Sequence, residues 1–216
     1  MREEIERLLP RIKNSEISDA EIQILIERIK NSIRDDVSKG KELGELLALI
    51  KQAHKNKSLF HKTNWVQAGK GFLAVGHKPG GKISFEGLQM NGTTVVLTLL
   101  NENEGSATIG IKVQQVNIRW LWFPFSASTS NNEQDIDGVR ALLEQLKELL
   151  QAGNKIYIHC SAGIHRTGMI TMALLQYMGN EKDTAFKILQ LLREVTAAQV
   201  GEERLSWANQ FSTPDR

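Results

Sequence analysis

Apolar residues return every three or four positions through the first sixty residues, then give way to short apolar runs separated by helical stretches. In the first region Ile5, Leu8, Leu9 and Ile12 share one helical face, although Pro10 is expected to break or bend that segment. Ser18-Asp19-Ala20-Glu21 forms a capping box. Behind it Ile22, Leu25, Ile26, Ile29 and Ile33 make one apolar stripe. A third helix is predicted from about Ser38 to His54, with Leu43, Leu46, Leu47 and Ile50 facing inward. The pattern predicts a helical extension over 1–58, a hairpin or three-helix cap whose stripes pack on the domain that follows, the first expectation, or else dimerise or hold a partner.

From residue 59 the pattern changes. Phe72-Leu73-Ala74-Val75 reads as a strand ending in a turn at Lys78-Pro79-Gly80-Gly81. A helical turn at 85–90 and Asn91-Gly92 lead into a strand over Thr94–Leu100. A short helix over Ser106–Gln115, a strand over Val116–Phe123 and a long helix over Asp135–Gln151 follow. Lys155–His159 is a buried strand, and the rest reads as helices at Thr167–Met178, Lys182–Val195 and Glu202–Phe211. Strands alternating with helices predict an α/β domain over 59–216 with a mainly parallel central sheet covered by helices. Ligands of such sheets bind beyond the carboxyl ends of the strands.

The segment His159-Cys160-Ser161-Ala162-Gly163-Ile164-His165-Arg166-Thr167-Gly168 lies at such an end and holds the chain's single cysteine. A strand-to-helix loop gathers free backbone N–H groups and the positive end of a helix dipole. It binds an anion of phosphate size and lowers the pKa of a thiol placed there. Arg166 supplies a fixed charge whose fork matches two phosphate oxygens. A nucleophile, an anion cradle and a cation together point to phosphoryl transfer onto cysteine.

This decapeptide resembles the active-site loop of cysteine-dependent protein tyrosine and dual-specificity phosphatases, whose pattern is His-Cys, five residues, Arg, Ser or Thr, then Gly. His159, Cys160, Gly163, Arg166, Thr167 and Gly168 match every fixed position. Weaker likeness to small atypical dual-specificity phosphatases covers about residues 60 to 212, through Asn64–Gly76, Thr94–Glu104 and Ile118–Pro124. The resemblance implies a protein tyrosine phosphatase-like fold and hydrolysis of phosphate monoesters through a phosphocysteine. Backbone N–H groups of Ser161, Ala162, Gly163, Ile164, His165 and Arg166 would hold the phosphate. Cys160 would attack, Arg166 would stabilise the transferring group and Thr167 would hydrogen-bond the sulfur. His159 would position the loop. Gln199 and Glu202-Glu203-Arg204 fall where the family often places a polar residue that orients water; Gln199 is the candidate, with helix capping or a solvated surface as the alternative. No cofactor or metal is implied.

The sequence departs from the family where a mobile loop usually carries an aspartate that protonates the leaving oxygen. Here the loop reads Phe123-Pro124-Phe125-Ser126-Ala127-Ser128-Thr129-Ser130. Three explanations stay open. A substitute acid is one, with Glu102 or Glu104 favoured over Glu133 and over Asp135 and Asp137, which suit helix capping. A substrate with a good leaving group is the second. Weak or absent turnover is the third, since acid catalysis is worth about 10² to 10⁴ in rate. His165 stands where the tyrosine phosphatases usually have glycine; it is either a solvent-facing side chain or a contact for a second anion. Phe125 is the aromatic best placed to stack on a substrate ring.

Composition narrows the partners. A net charge of +2 gives nucleic-acid binding no support, and no apolar run is long enough to span a bilayer. The acidic N-terminus Met1-Arg2-Glu3-Glu4 lacks a signal peptide's apolar core. One cysteine suits a reducing, cytoplasmic setting. The expected partner is a phosphorylated substrate, a protein in the first instance, with no membrane; the oligomeric state is left open. The rival readings are a phosphate-binding pseudo-phosphatase and an enzyme acting on nucleotide or RNA phosphates.

Overall fold

The structure is a computed structural model describing residues 2–13, 17–60, 63–128 and 135–212. The chain divides into two compact units, Met1–Lys62 and Thr63–Arg216.

The first unit holds α1 (Arg2–Lys13), α2 (Asp19–Asp35) and α3 (Gly40–Phe60), with a short 3₁₀ turn at Val37–Lys39. The capping box forms: Ser18 Oγ accepts from the Glu21 N–H, and the Glu21 carboxylate accepts from the Ser18 N–H at 2.8 Å. Such a cap stabilises a helix by about 1 kcal/mol. Contrary to the sequence expectation, α1 runs through Pro10. Proline removes one backbone bond there, but Ile5 and Ile12 on either side are fully buried and α1 packs on α3. Ile22, Leu25, Ile26, Ile29, Leu43, Leu46 and Ile50 complete this core. α3 extends past the predicted His54 to Phe60.

The second unit is built on a five-stranded sheet in the order β1-β2-β5-β3-β4. The strands are β1 (Val66–Ala68), β2 (Gly71–Gly76), β3 (Val95–Thr98), β4 (Arg119–Trp122) and β5 (Lys155–His159). β1 and β2 form an antiparallel hairpin, while β2, β5, β3 and β4 run parallel. The sheet is therefore mixed and mainly parallel. β3 is buried at every position and β5 at all but its first residue, as a strand covered on both faces requires. Register places Gly76, His159 and Thr98 abreast, so β2, β5 and β3 release their chains at one edge.

Helices cover this sheet: α4 (Phe85–Met90), α5 (Ser106–Gln115), α6 (Ile136–Gln151), α7 (His165–Tyr177), α8 (Lys182–Leu192), α9 (Glu194–Gln199) and α10 (Glu202–Trp207). α5 packs on β3 and β4; α6 and α8 pack on β2, and α7 packs on β5. Asp135 caps α6 by accepting the Gly138 N–H at 2.8 Å. The predicted helix over 182–195 is instead two helices parted at Arg193, whose backbone is extended. No helix of the described residues is long and apolar enough to cross a membrane.

Candidate active site

Cys160 leaves the sheet at the end of its central strand, and α7 begins five residues later. The intervening loop turns tightly because Gly163 has φ +69°, a region that disfavours side chains. A Cβ at Gly163 would also strike the Gly76 carbonyl, so β2 and the loop touch backbone to backbone there.

The loop wraps Cys160, which is 4% exposed. Burial works to raise the thiol pKa. The Thr167 hydroxyl and the N–H groups of Thr167, Ile164 and Gly163 outweigh it, and the thiol lies below its ordinary value. The buried Thr167 hydroxyl has no oxygen or nitrogen partner; the sulfur is what it serves.

His159 is fully buried and anchors the loop to the sheet. Its Nδ1 lies 3.1 Å from the Cys160 carbonyl, which only accepts, so Nδ1 carries the proton. Burial lowers the ring to about 4, so it is neutral and Nε2 accepts from the Thr98 hydroxyl at 2.9 Å. Trp120 Nε1–H donates in turn to Thr98 Oγ1 at 2.9 Å. This chain of bonds leaves His159 no proton to give and none to take near neutrality.

Arg166 is held by the segment after β3. Its Nη1 and Nη2 donate to the two carboxylate oxygens of Glu104 at 2.6 and 2.7 Å, and Nη1 also donates to the Leu99 carbonyl at 3.2 Å. The guanidinium and the Cys160 thiolate favour each other's charge. Glu104 also accepts the Asn101 N–H at 2.9 Å. The Arg166 bonds, against some burial, hold the Glu104 carboxyl at about 2.

These groups border a cavity of about 460 Å³ lined by Asn101, Asn103, Glu104, Phe125, Ser126, Ala127, Cys160, Ser161, Ala162, Ile164, His165 and Arg166. The structure thus brings together Cys160, Arg166, Thr167 and the loop backbone, with His159 beneath. Among the candidate acids, Glu104 is at the cavity and paired to Arg166, which holds its carboxyl at about 2. Glu102 is exposed and does not line the cavity. Gln199, exposed at the end of α9, does not line it either. Asp135 is engaged as a helix cap, and Glu133 lies outside the described residues. His165 is exposed and borders the cavity. Phe125 borders the cavity but is 3% exposed, its ring packed on Trp207 at 5.4 Å, so it is core more than stacking platform. Among the described residues no group of metal-binding side chains occurs.

Sequence reading missed a second ring of residues. Arg193 Nη1 donates to the carbonyls of Ala162 and Gly163 at 3.0 and 2.9 Å and to Thr196 Oγ1 at 3.1 Å. Arg193 Nη2 reaches His77 Nε2 at 2.9 Å, and the Thr196 hydroxyl donates to the Gly163 carbonyl at 2.7 Å. One signal was present: Thr196 continues the buried stripe Ala185, Leu189, Leu192, where an apolar residue would be expected.

Residues 76–202 match the family described as dual specificity phosphatase, catalytic domain, and the chain belongs to that family. Among solved structures, a kinase associated phosphatase with serine substituted for its catalytic-site cysteine is 20% identical, with 69% of this chain and 92% of that chain covered and a TM-score of 0.56. Human DUSP28 is 16% identical over 68% of this chain and 94% of its own, with a TM-score of 0.53. The human tyrosine phosphatase-like serine/threonine/tyrosine-interacting protein is 22% identical over 64% and 89%, with a TM-score of 0.52. These likenesses establish the fold. No curated protein matches the chain.

Proposed function

We propose that this phosphatase domain hydrolyses phosphate monoesters, of phosphotyrosine or dual-specificity type, through a phosphocysteine on Cys160. The observation that carries this reading is the sulfur itself, held below its ordinary pKa by three backbone N–H groups and Thr167 at the floor of a cavity beside Arg166. The phosphate would sit over the loop, its oxygens facing the amides. Arg166 engages three of its five N–H groups with Glu104 and Leu99, which leaves the edge carrying Nε–H and the second Nη2–H for two phosphate oxygens.

The thiolate attacks phosphorus, an S–P bond forms, and the ester P–O bond breaks with its electron pair going to the leaving oxygen. Charge on the equatorial oxygens is met by amides and guanidinium already in place. Water then attacks phosphorus, inorganic phosphate departs, and the thiolate is restored with help from the Thr167 hydroxyl. The only carboxylate among the described cavity residues is already ionised, so departure of the first oxygen falls to its own acidity and to solvent. Aryl phosphates such as phosphotyrosine suit this arrangement better than alkyl phosphates.

Hydrolysis of p-nitrophenyl phosphate tests the proposal, because that leaving group needs no acid. Wild-type protein is expected to turn it over, and Cys160→Ser to abolish turnover while keeping vanadate or phosphate binding. The same ionised Glu104 favours a second reading, a domain that traps phosphorylated partners without turnover. A folded wild-type protein that binds phosphate and releases no nitrophenol would establish that one.

A further inference from the structure

The loop around Cys160 owes its shape to a brace from outside it. In a trans peptide the carbonyl oxygen and the following N–H point in opposite directions, and the described chain has no cis peptide bonds. The direction of each loop carbonyl therefore sets that of the next amide. The Ser161 carbonyl accepts from the Lys78 N–H at 3.1 Å. The Ala162 carbonyl accepts from Arg193, and the Gly163 carbonyl from both Arg193 and Thr196. With these three oxygens drawn away from the cavity, the N–H groups of Ala162, Gly163 and Ile164 turn the other way. Two of these, Gly163 and Ile164, are among the N–H groups that lower the Cys160 pKa.

Resting on the phosphatase reading above, we infer that Arg193, seated by Thr196 and His77, is a positioning residue for the reaction: it aims the Gly163 and Ile164 amides at the sulfur and the phosphate. Two features set this arrangement apart from an incidental surface contact. The helical run over 182–199 is parted at Arg193 and nowhere else, although neither glycine nor proline stands there. The guanidinium is also seated from behind. Arginine only donates, so His77 Nε2 must be a lone pair and the ring neutral with its proton on Nδ1. Burial, then Arg193, then Lys82 favour that neutral form. The Tyr157 hydroxyl fixes the same residue by donating to the His77 carbonyl at 2.8 Å. Thr196, fully buried, links Arg193 to Gly163.

The chain's single cysteine makes the test direct. The rate of alkylation by iodoacetamide against pH reports the Cys160 thiolate alone, without any substrate. The charged and titratable groups around the thiol are Arg166 with Glu104, Lys78, the buried His159 and Tyr157, and the exposed His165; all stay in place in the variants. Wild-type protein should ionise below the ordinary thiol value of about 8.5. Arg193→Met should raise that midpoint by about one unit and lower kcat/KM for p-nitrophenyl phosphate about tenfold to a hundredfold, less than losing an oxyanion donor outright. His77→Phe should move both readouts the same way by less. His77→Gln, which keeps an uncharged acceptor near the Nε2 position, should restore values close to wild type. A residue with a merely structural role would change the unfolding temperature and leave the thiol midpoint alone.

A folded Arg193→Met protein with wild-type midpoint and kcat/KM overturns the inference. Should that variant not fold, Thr196→Val carries the same test through the Gly163 carbonyl, with the same direction expected and an unmoved midpoint equally fatal. A wild-type thiol that ionises at its ordinary value would instead overturn the phosphatase reading, so the two failures are told apart.

Discussion

Two loops meet at the cavity from the carboxyl ends of parallel strands, and they are built to different standards. The loop after β5 has its turning carbonyls bonded, its amides aimed at sulfur, and a charged arginine fixed by a bidentate carboxylate. The segment after β4 is secured as well, by Phe125 against Trp207 and by Arg204 Nε–H donating to the Ala127 carbonyl at 3.0 Å. Yet its described residues, 123–128, offer no titratable group. The described part of the first loop is shaped to hold an anion beside a thiol; the described part of the second shapes the wall and carries no acid.

Breaking the better-built loop should have the largest effect. Arg166→Lys keeps the charge and loses the fork, so kcat/KM for p-nitrophenyl phosphate should fall about 10²- to 10³-fold, the scale of a lost transition-state donor. A loss below tenfold would mean that the guanidinium's shape is not used.

The poorer loop can be upgraded. Ser126 is exposed and borders the cavity, so Ser126→Asp offers a carboxyl where none stands. Hydrolysis of an alkyl phosphate should rise about tenfold or more, within the range of acid catalysis, with p-nitrophenyl phosphate little changed. Equal gains on both substrates would point to binding in place of proton transfer.

Glu104→Gln gives a smaller effect and separates the two roles once open to this residue. As the partner of Arg166, it should cost about tenfold in kcat/KM with the shape of the pH–rate profile kept, in line with the worth of one charge-assisted contact. Were it the acid, the profile would lose its limb at high pH. Stability carries a second sign. The folded carboxyl is held at about 2, below its ordinary value, so its contribution is complete above the ordinary carboxylate range and is lost as pH falls toward 2. The Glu104 side chain is 32% exposed and screened accordingly, so the gap in unfolding temperature between wild type and Glu104→Gln should be small at neutral pH and should close in acid.

What could be read from the sequence follows how local each feature is. The nucleophile loop was legible because its chemistry sits in ten consecutive residues between an apolar strand and a helix. The sheet class followed from alternation, and the Ser18–Glu21 cap from four adjacent residues. Arg193 was not legible, because its partners His77, Ala162 and Gly163 are distant in sequence and the helix break around it has no glycine or proline to mark it. Glu104 was found as a cavity residue, but its pairing was not legible, since the bond to Arg166 is supplied only by the fold. Pro10 misled in the opposite direction: burial of Ile5 and Ile12 outweighs a lost backbone bond.

The central claim is that the Cys160 sulfur takes the phosphoryl group. Rapid acid quench of the protein during turnover of p-nitrophenyl phosphate, followed by mass measurement of the peptide bearing Cys160, tests it most directly. The account predicts one added phosphoryl group on that peptide and none in Cys160→Ser. Continued turnover by Cys160→Ser, or a phosphoryl group found on another residue, would contradict it.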